Sequence, residues 1–304
     1  MSNGFEHIGL TVAAQTALDA MMPVLEPLNL FSTKLSADGL AKGKSVEVRL
    51  YNVPGDAGDF DISSNNYQDS VDLDLDKVTV TLDQHKKQTF ELTDEDQGKL
   101  ASGEPDKLIA LQAQSVAKAA LLEIYEQITI SNFSTAVLTG AASTLDTDDF
   151  ADFLAAAKAA NMNMDSLGCM LEYTYMQNLR KDDAIKHYLN ANTDQVLREG
   201  YVGRLSGFNT YESTIIPDNS ENLKGFITDG TALAVATAVV NPGIGSEMVI
   251  DHAVATDPTG FSVGVRKHYD PETGKTYMTV EILMGVSVGR AAGLQRIMSQ
   301  AVST

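Results

Sequence analysis

Two stretches with the period of a β-strand, residues 44–53 and 76–93, flank a strongly acidic segment and limit what this chain can fold into. The alternating apolar residues are Val46, Val48 and Leu50 in the first stretch and Val78, Val80 and Leu82 in the second. Residues 54–75 and the adjoining Asp76 hold seven aspartates and no lysine or arginine. The pattern predicts a long hairpin, which is marginal in water by itself. We therefore expect it to lie on another surface, that of a neighbouring subunit.

The hairpin supplies the candidate subunit-interface residues. They are Val46, Val48, Leu50, Val78, Val80 and Leu82, with the cationic Lys42, Lys44 and Arg49. Heterologous contacts of this kind, repeated by rotation, close rings of identical subunits.

Residues 105–130 carry the longest helical pattern in the chain. Its apolar positions are Ile109, Ala113, Val116, Ala120 and Ile124. Ser102 is a candidate N-cap and Pro105 suits the first turn. Such a helix is roughly 35–40 Å long, so we predict that it spans a domain and packs, through Val116 and Ala120, on a sheet at 276–288.

The remaining elements alternate between helix and strand. We predict helices at 11–22 (stopped by Pro23), 147–160 (capped by Thr147), 175–188 and 229–240. We predict strands at 168–173, 261–265 and 276–288. Residues 201–222 are predicted to be loop with strand. The alanines of 229–240 suggest a closely packed helix. Residues 270–274 form the turn of a late β-hairpin. The first helix packs either on its own domain or on a neighbouring subunit.

Composition narrows the class of protein. The 304 residues include 41 acidic and 22 basic ones, for a net charge of −19, which disfavours a protein whose main contact is nucleic-acid phosphate. No segment has the length of a membrane-spanning helix or the pattern of a secretory signal. Cys169 is the single cysteine, which suits a reducing compartment.

No constellation of residues predicts catalysis, a cofactor or a metal ion. The sequence around Ser262, Gly-Phe-Ser-Val-Gly, matches a nucleophile elbow, but strand alternation continues where that motif requires a helix. Asp72, Asp74 and Asp76 lack the glycine and glutamate of a calcium loop. The five histidines are scattered, and we interpret them as surface or hydrogen-bonded polar residues.

The order of these elements resembles the major capsid proteins of tailed bacteriophages, the Hong Kong 97 fold. The resemblance covers most of the chain and is carried by five stretches in order: KGKSVEVRLYNVPG (42–55), VTVTLDQHKKQTFELTDED (78–96), YVGRLSGFNTYESTIIP (201–217), GTALAVATAVV (230–240) and VRKHYDPETGKTYMTVEILMGVSVGR (265–290). It implies an α+β fold with an N-terminal arm, an E-loop hairpin, a P-domain (long spine helix plus antiparallel sheet) and an A-domain.

The resemblance also implies domain bounds. They are the arm at 1–40, the E-loop at 41–98, the P-domain with its spine helix at 99–139, the A-domain at 140–255 and the returning P-domain sheet at 256–304. Some relatives carry a long scaffolding segment before the arm. The short arm here favours a separate scaffolding protein. Covalent joining of E-loop lysines is not carried over to Lys42 and Lys44, because no acidic catalyst is identified.

The implied function is a non-enzymatic shell protein, made in the host cytoplasm, that assembles through pentamers and hexamers into the icosahedral capsid of a virion. Its partners would be itself, a scaffolding protein, a portal protein and a decoration protein, and it would enclose double-stranded DNA without sequence-specific binding. An encapsulin-like compartment shell and a serine hydrolase using Ser262 are the alternatives.

Overall fold

The computed structural model describes residues 9–50, 77–97, 104–182, 204–240 and 249–300, which form two six-stranded sheets, a two-stranded pair and several helices. In chain order the elements are α1 (Leu10–Leu25), β1 (Phe31–Leu40), β2 (Ser45–Arg49), β3 (Lys77–Thr81), β4 (Gln84–Thr93), α2 (Asp94–Gln97), α3 (Glu104–Glu126), β5 (Ala136–Thr139), α4 (Asp149–Ala159), β6 (Gly168–Glu172), α5 (Tyr173–Lys181), β7 (Arg204–Leu205), β8 (Phe208–Ser213), β9 (Leu223–Thr228), β10 (Gly230–Val240), β11 (Val249–Thr256), β12 (Ser262–Asp270), β13 (Lys275–Val288) and β14 (Leu294–Met298).

The main sheet is built around β13. Its order is β1-β10-β13-β12-β11, and β4 pairs with β13 along 275–284. The predicted late hairpin is confirmed as β12 and β13. Gly274 adopts a φ of +64° in the turn, and Asp270 accepts a hydrogen bond from the Thr273 hydroxyl at 2.7 Å. A positive φ favours glycine because it has no Cβ to clash.

The second sheet has the order β5-β14-β9-β6-β8-β7. One side of it carries a separate apolar core with α4 and α5, in which Phe150, Phe153 and Phe208 meet. The predicted strand at 168–173 is confirmed as β6, and the predicted strand within 201–222 as β7 and β8. The predicted helix at 175–188 forms as α5, and residues 183–188 lie outside the described part of the chain.

The long helix is confirmed as α3, and its apolar face is buried as predicted. Val116 is 2 % and Ala120 is 3 % exposed, and the helix packs against β13, β4 and α1. At its C-terminal end the Asn219 side chain donates to the backbone oxygens of Tyr125, at 3.0 Å, and Ile128, at 2.8 Å. The Tyr125 oxygen also accepts from Ile128 N at 3.0 Å, so the Asn219 amide ties its own segment to the turn that ends α3. Ser102 lies outside the described residues.

The first helix, α1, packs on its own subunit, against α3, β11 and β12. Ala13, Ala14 and Ala17 are fully buried, and their small side chains let the helix approach its neighbours closely. The helix continues through Pro23 to Leu25, so the predicted end at Met22 is three residues early. A proline near the C-terminal end costs one hydrogen bond of the ladder and does not break the earlier turns.

The helix predicted at 229–240 is wrong, because these residues form the central strand β10. Small residues alternate there with larger or β-branched ones, and both faces are buried. Leu233 and Val235 face the core under α1 and α3, whereas Ala234 and Ala236 face the opposite side of the sheet. A strand buried on both faces reads as a continuous apolar run, and a run rich in alanine has the composition of a helix as well.

The predicted cap of α4 is also wrong. The Asp146 carboxylate accepts hydrogen bonds from the backbone N–H groups of Asp148, at 2.9 Å, and Asp149, at 3.2 Å. The Thr147 hydroxyl instead donates to Asp182 at 2.7 Å, which ties the start of α4 to the end of α5. A carboxylate one residue earlier thus fills the role expected of the hydroxyl.

Replacement of Val116 by Asp tests the buried face of α3. It would bury an unpaired carboxylate at a cost of several kcal/mol, against a total stability of about 5–15 kcal/mol. We expect insoluble or unfolded protein. The matched control is Leu111→Asp on the same helix, where the side chain is 63 % exposed; this variant should remain soluble. Equal soluble yield and equal melting temperature for the two variants would show that this face of α3 is not buried.

Candidate assembly surface

The base of the predicted hairpin forms as the antiparallel pair β2–β3. Val46 lies opposite Val80 and Val48 opposite Val78, while Glu47 lies opposite Thr79 on the other face. The pair is closed by hydrogen bonds from Gly43 N to Leu82 O, at 2.7 Å, and from Leu82 N to Lys44 O, at 2.8 Å. The predicted strand alternation is therefore confirmed at the base, and residues 51–76 lie outside the described part of the chain.

The apolar face of the hairpin base is covered by its own subunit. Val48, Leu50, Val80 and Leu82 are at most 2 % exposed and share a core with alanines of β10 and with Leu283 of β13. Val46 and Val78 are half-buried beside them. The hairpin base therefore needs no neighbouring subunit to bury this face, because the alanines of β10 leave room for it. Contact of these residues with a neighbouring subunit stays a prediction.

A glycine allows the closest approach between the hairpin base and the sheet. A Cβ added at Gly285 of β13 would collide with the backbone carbonyl of Thr81 at the end of β3. Real side chains do not tolerate such a contact, so the position requires glycine for space and not for an unusual φ. The two-stranded pair therefore lies directly on the backbone of the main sheet.

The opposite face of the hairpin base is polar and exposed. The three cationic candidates Lys42, Lys44 and Arg49 are all exposed, and Arg49 lies across from the exposed Lys77 in the register of β2 and β3. These cations stand out in a chain with a net charge of −19. They form the part of the predicted interface set that a single subunit leaves uncovered.

Beside the hairpin base, a buried carboxylate organises the same face of the main sheet. Glu281 of β13 is 1 % exposed. Its Oε1 accepts hydrogen bonds from the Arg266 guanidinium, one of them from Nε at 2.7 Å, and its Oε2 lies 3.0 Å from Nε2 of His85. Burial of a charge is costly unless it is paired and hydrogen-bonded. Arg266 and His85 supply these partners from β12 and β4, the strands on either side of β13.

These strands frame a groove of about 490 Å³. It is lined by His85, Lys87, Thr89, Arg266, His268, Tyr277, Thr279 and Glu281. The rings of His268 and Tyr277 stack with centroids 4.8 Å apart, and Thr89 and Thr279 are joined by a hydrogen bond of 2.8 Å. We name this lining, together with Lys42, Lys44 and Arg49, the polar sheet face.

Strand pairing brings together histidines that are far apart in the sequence. His85 and His268 line the groove, and His252 lies opposite Arg266 in the register of β11 and β12. The interpretation of His85 as a hydrogen-bonded polar residue agrees with its contact to Glu281. No local sequence motif predicts that these histidines lie on neighbouring strands, because they come from three different strands.

Other residues considered from the sequence do not form a site. Ser262 is the first residue of β12, is fully buried and lies 2.9 Å from the Thr256 hydroxyl oxygen, so the strand continues where an elbow would turn into a helix. Burial raises the pKa of the Cys169 thiol, which disfavours the reactive thiolate. Asp72, Asp74 and Asp76 lie outside the described residues.

Two kinds of feature are absent from the described ranges. No group of three or more His, Cys, Asp or Glu side chains within them is placed to hold a metal ion. None of the helices they contain has the length and apolarity needed to cross a membrane.

No family model and no curated protein matches this sequence. Solved structures do match. A capsid subunit of cyanophage P-SCSP1u is 11% identical, with a TM-score of 0.55 over 90% of this chain and 87% of that one. A subunit of the capsid of a native GTA particle is 14% identical, with a TM-score of 0.55 over 91% of both chains. A virus-like particle from Pyrococcus furiosus is 12% identical, with a TM-score of 0.51 over 94% of this chain and 97% of that one.

The similarity runs through about nine-tenths of this chain and of each matched subunit. The chain therefore has the fold of phage capsid subunits, of the Hong Kong 97 type, and the predicted α+β fold class is confirmed. At identities of 11% and 14% a shared fold does not by itself establish a shared function.

The cluster around Glu281 makes a prediction about stability. Arg266→Met would leave a buried carboxylate with its His85 partner alone, and should lower the free energy of unfolding by about 1–3 kcal/mol. Lys107→Met, at an exposed position of α3 away from Glu281, should change it by less than about 0.5 kcal/mol. Urea unfolding of the unassembled subunits measures both. If the two variants are equally stable, Arg266 does not support Glu281.

Proposed function

We propose that this chain is the major capsid protein of a tailed bacteriophage, which assembles through pentamers and hexamers into an icosahedral shell around double-stranded DNA. The observation that carries the proposal is the end-to-end similarity to capsid subunits from a cyanophage and a GTA particle. A partial match would fit a shared domain, whereas coverage of about 90% on both sides fits a subunit with the same set of parts.

The proposed parts follow the predicted bounds. Residues 1–40 are the arm, 41–98 the E-loop, 99–139 and 256–304 the P-domain, and 140–255 the A-domain. The P-domain bounds are supported by the packing of α3 on β13. The strand pairing favours a revision of these bounds. β4, β10 and β11 belong to the same sheet as β13, whereas β5 and β14 belong to the second sheet and fit the A-domain. We therefore propose that β4, β10 and β11 also belong to the P-domain.

The charge of the chain supports a DNA container that does not hold its DNA tightly. A net charge of −19 per subunit offers few cations for phosphate contacts. DNA is then enclosed without sequence-specific binding. The further partners proposed are a separate scaffolding protein, a portal protein and a decoration protein, and the site of action is the virion after synthesis in the host cytoplasm.

A second candidate function is a compartment shell of the encapsulin kind, with protein cargo. It is favoured by the match to the virus-like particle from Pyrococcus furiosus, which covers 97% of that chain. The two functions predict different contents of the same kind of particle. They share the prediction of a closed shell.

Sedimentation of the expressed protein tests the shell, and analysis of its contents separates the two functions. We expect particles of megadalton size, formed by the chain alone or with a co-expressed scaffolding protein. Nuclease-resistant DNA in particles from infected cells supports the virion, and a stoichiometric protein cargo supports the compartment. A monodisperse 32.6 kDa monomer under both expression conditions would contradict both functions.

The exposed cations of the hairpin base should take part in assembly. We expect the triple variant Lys42→Glu, Lys44→Glu, Arg49→Glu to fold normally but to raise the subunit concentration needed for assembly by about tenfold or more, because reversed charge at an interface is repulsive. Light scattering during assembly measures this concentration, and the melting temperature of the subunit reports folding.

The matched control changes the same number of charges elsewhere. Lys107, Lys118 and Lys158 are exposed on α3 and α4, and replacement of all three by Glu gives the same net charge. Assembly of the control near the wild-type concentration would show that position, and not total charge, causes the loss. Equal losses in both variants would contradict an interface at the hairpin base.

A further inference from the structure

The two sheets are joined where the chain passes from one to the other. It crosses from the main sheet to the second sheet through α3, returns between β9 and β10, and crosses again between β13 and β14. The last two crossings meet in space, because Asp229 N donates to Gly293 O at 3.1 Å and Arg290 N donates to Thr231 O at 3.0 Å. We name residues 229–231 and 289–293 the inter-sheet junction.

A buried carboxylate lies at the centre of the inter-sheet junction. The Asp229 side chain has no exposed surface. Its Oδ1 accepts hydrogen bonds from Thr231 N, at 2.9 Å, and from the Thr231 hydroxyl, at 2.7 Å. Its Oδ2 accepts one from Asn163 N at 3.1 Å and lies 3.6 Å from Nη1 of Arg290. One side chain thus binds β10, the turn before β6 and the segment after β13.

Arg290 extends the connection to α4. Its guanidinium donates to the backbone oxygens of Ala160 and Asn161, each at 3.0 Å, at the C-terminal end of that helix. On the other side, a Cβ added at Gly293 would lie 2.6 Å from Oδ1 of Asp229. The carboxylate therefore sits in a close-fitting site, with one partner in β10 of the main sheet, one in the turn before β6 of the second sheet and one after β13.

The free-energy cost of burying the Asp229 carboxylate indicates that its role is to select one arrangement of the two sheets and not to add stability. A buried charge with a single cationic partner contributes little net stability, whereas removal of a partner is strongly destabilising. The two sheets also share an apolar core, in which the ring of Phe226 in β9 lies 5.9 Å from the rings of Phe31 and Tyr125. Apolar contacts are not directional, so they hold the sheets together without fixing one angle of relative rotation. Directional bonds from one carboxylate to both crossings restrict that motion more sharply than apolar contacts do.

We propose that Asp229 is a positioning residue that fixes the angle between the two sheets and thereby the curvature at which subunits assemble. This inference rests on the proposed shell function. In a closed ring of copies an error in the angle of one subunit is repeated by every copy, so that rings fail to close at one size. A loose junction should therefore give shells of mixed size.

The test compares particle diameters with subunit stability. Asp229→Asn keeps the volume and one acceptor oxygen but places an NH₂ group against the donors Asn163 N and Arg290. We expect its particles, seen by cryo-electron microscopy, to show a spread of diameters at least about twice that of the wild type, with open or irregular forms. The controls are the core variants Ile124→Val and Ile124→Ala, in the buried face of α3. One should lower the melting temperature less than Asp229→Asn does and the other more, so that the effect of lost stability alone on particle diameter is known.

The outcomes separate the inference from the shell function. The positioning role is supported if Asp229→Asn gives a wide distribution of particle diameters while the control variant with a similar melting temperature keeps wild-type diameters. Uniform wild-type diameters for Asp229→Asn, or an equal spread in the control, overturns it while the shell function stands. If Asp229→Asn does not fold, Arg290→Lys, which keeps the charge but loses the paired donation to α4, carries the same expectation. Wild-type protein that forms no particle overturns the shell function itself.

Discussion

The subunit depends on the burial of β10 and β13 from both sides. On one face, Val280, Ile282 and Met284 lie in the core under α1 and α3. On the other face, Leu283 and the alanines of β10 lie under the hairpin base. Removal of apolar surface from water is the main favourable term in folding, and a sheet covered on both faces gains it twice. The helices, the main sheet and the hairpin base are consequently one folding unit and not separate appendages.

This packing determines which polar side chains remain at the surface of the subunit. Once its apolar face is covered, the hairpin base presents lysines and an arginine, and the neighbouring strands present the groove around Glu281. In a chain with a net charge of −19, such a cation-rich area is an asymmetric feature and suits a directional contact with an acidic surface. Two buried carboxylates, Glu281 and Asp229, lie at points where three or more chain segments meet, and each is bonded to all of them.

Local sequence patterns were sufficient to predict α3 and the hairpin of β12 and β13, because helical spacing and turn residues act within a short stretch of chain. They failed for β10, where alanines that favour a helix in isolation are used to let β2 and β3 approach. Local patterns also failed to predict that Val48 and Val80 are buried in their own subunit and that His85 lies near His268. Both features depend on the pairing of strands that are distant in the sequence. The Asp229 junction has no signal in the sequence at all, since an aspartate followed by glycine reads as an ordinary turn.

The most direct test of this account is a cryo-electron microscopy reconstruction of the assembled protein at a resolution that shows side chains. The account predicts a closed shell in which every subunit keeps its own hairpin base on β10 and β13, while Lys42, Lys44 and Arg49 contact a neighbouring copy. A shell in which the hairpin base leaves its own sheet and covers a neighbour's would contradict the packing described here. An assembly without pentamers and hexamers would contradict the proposed function.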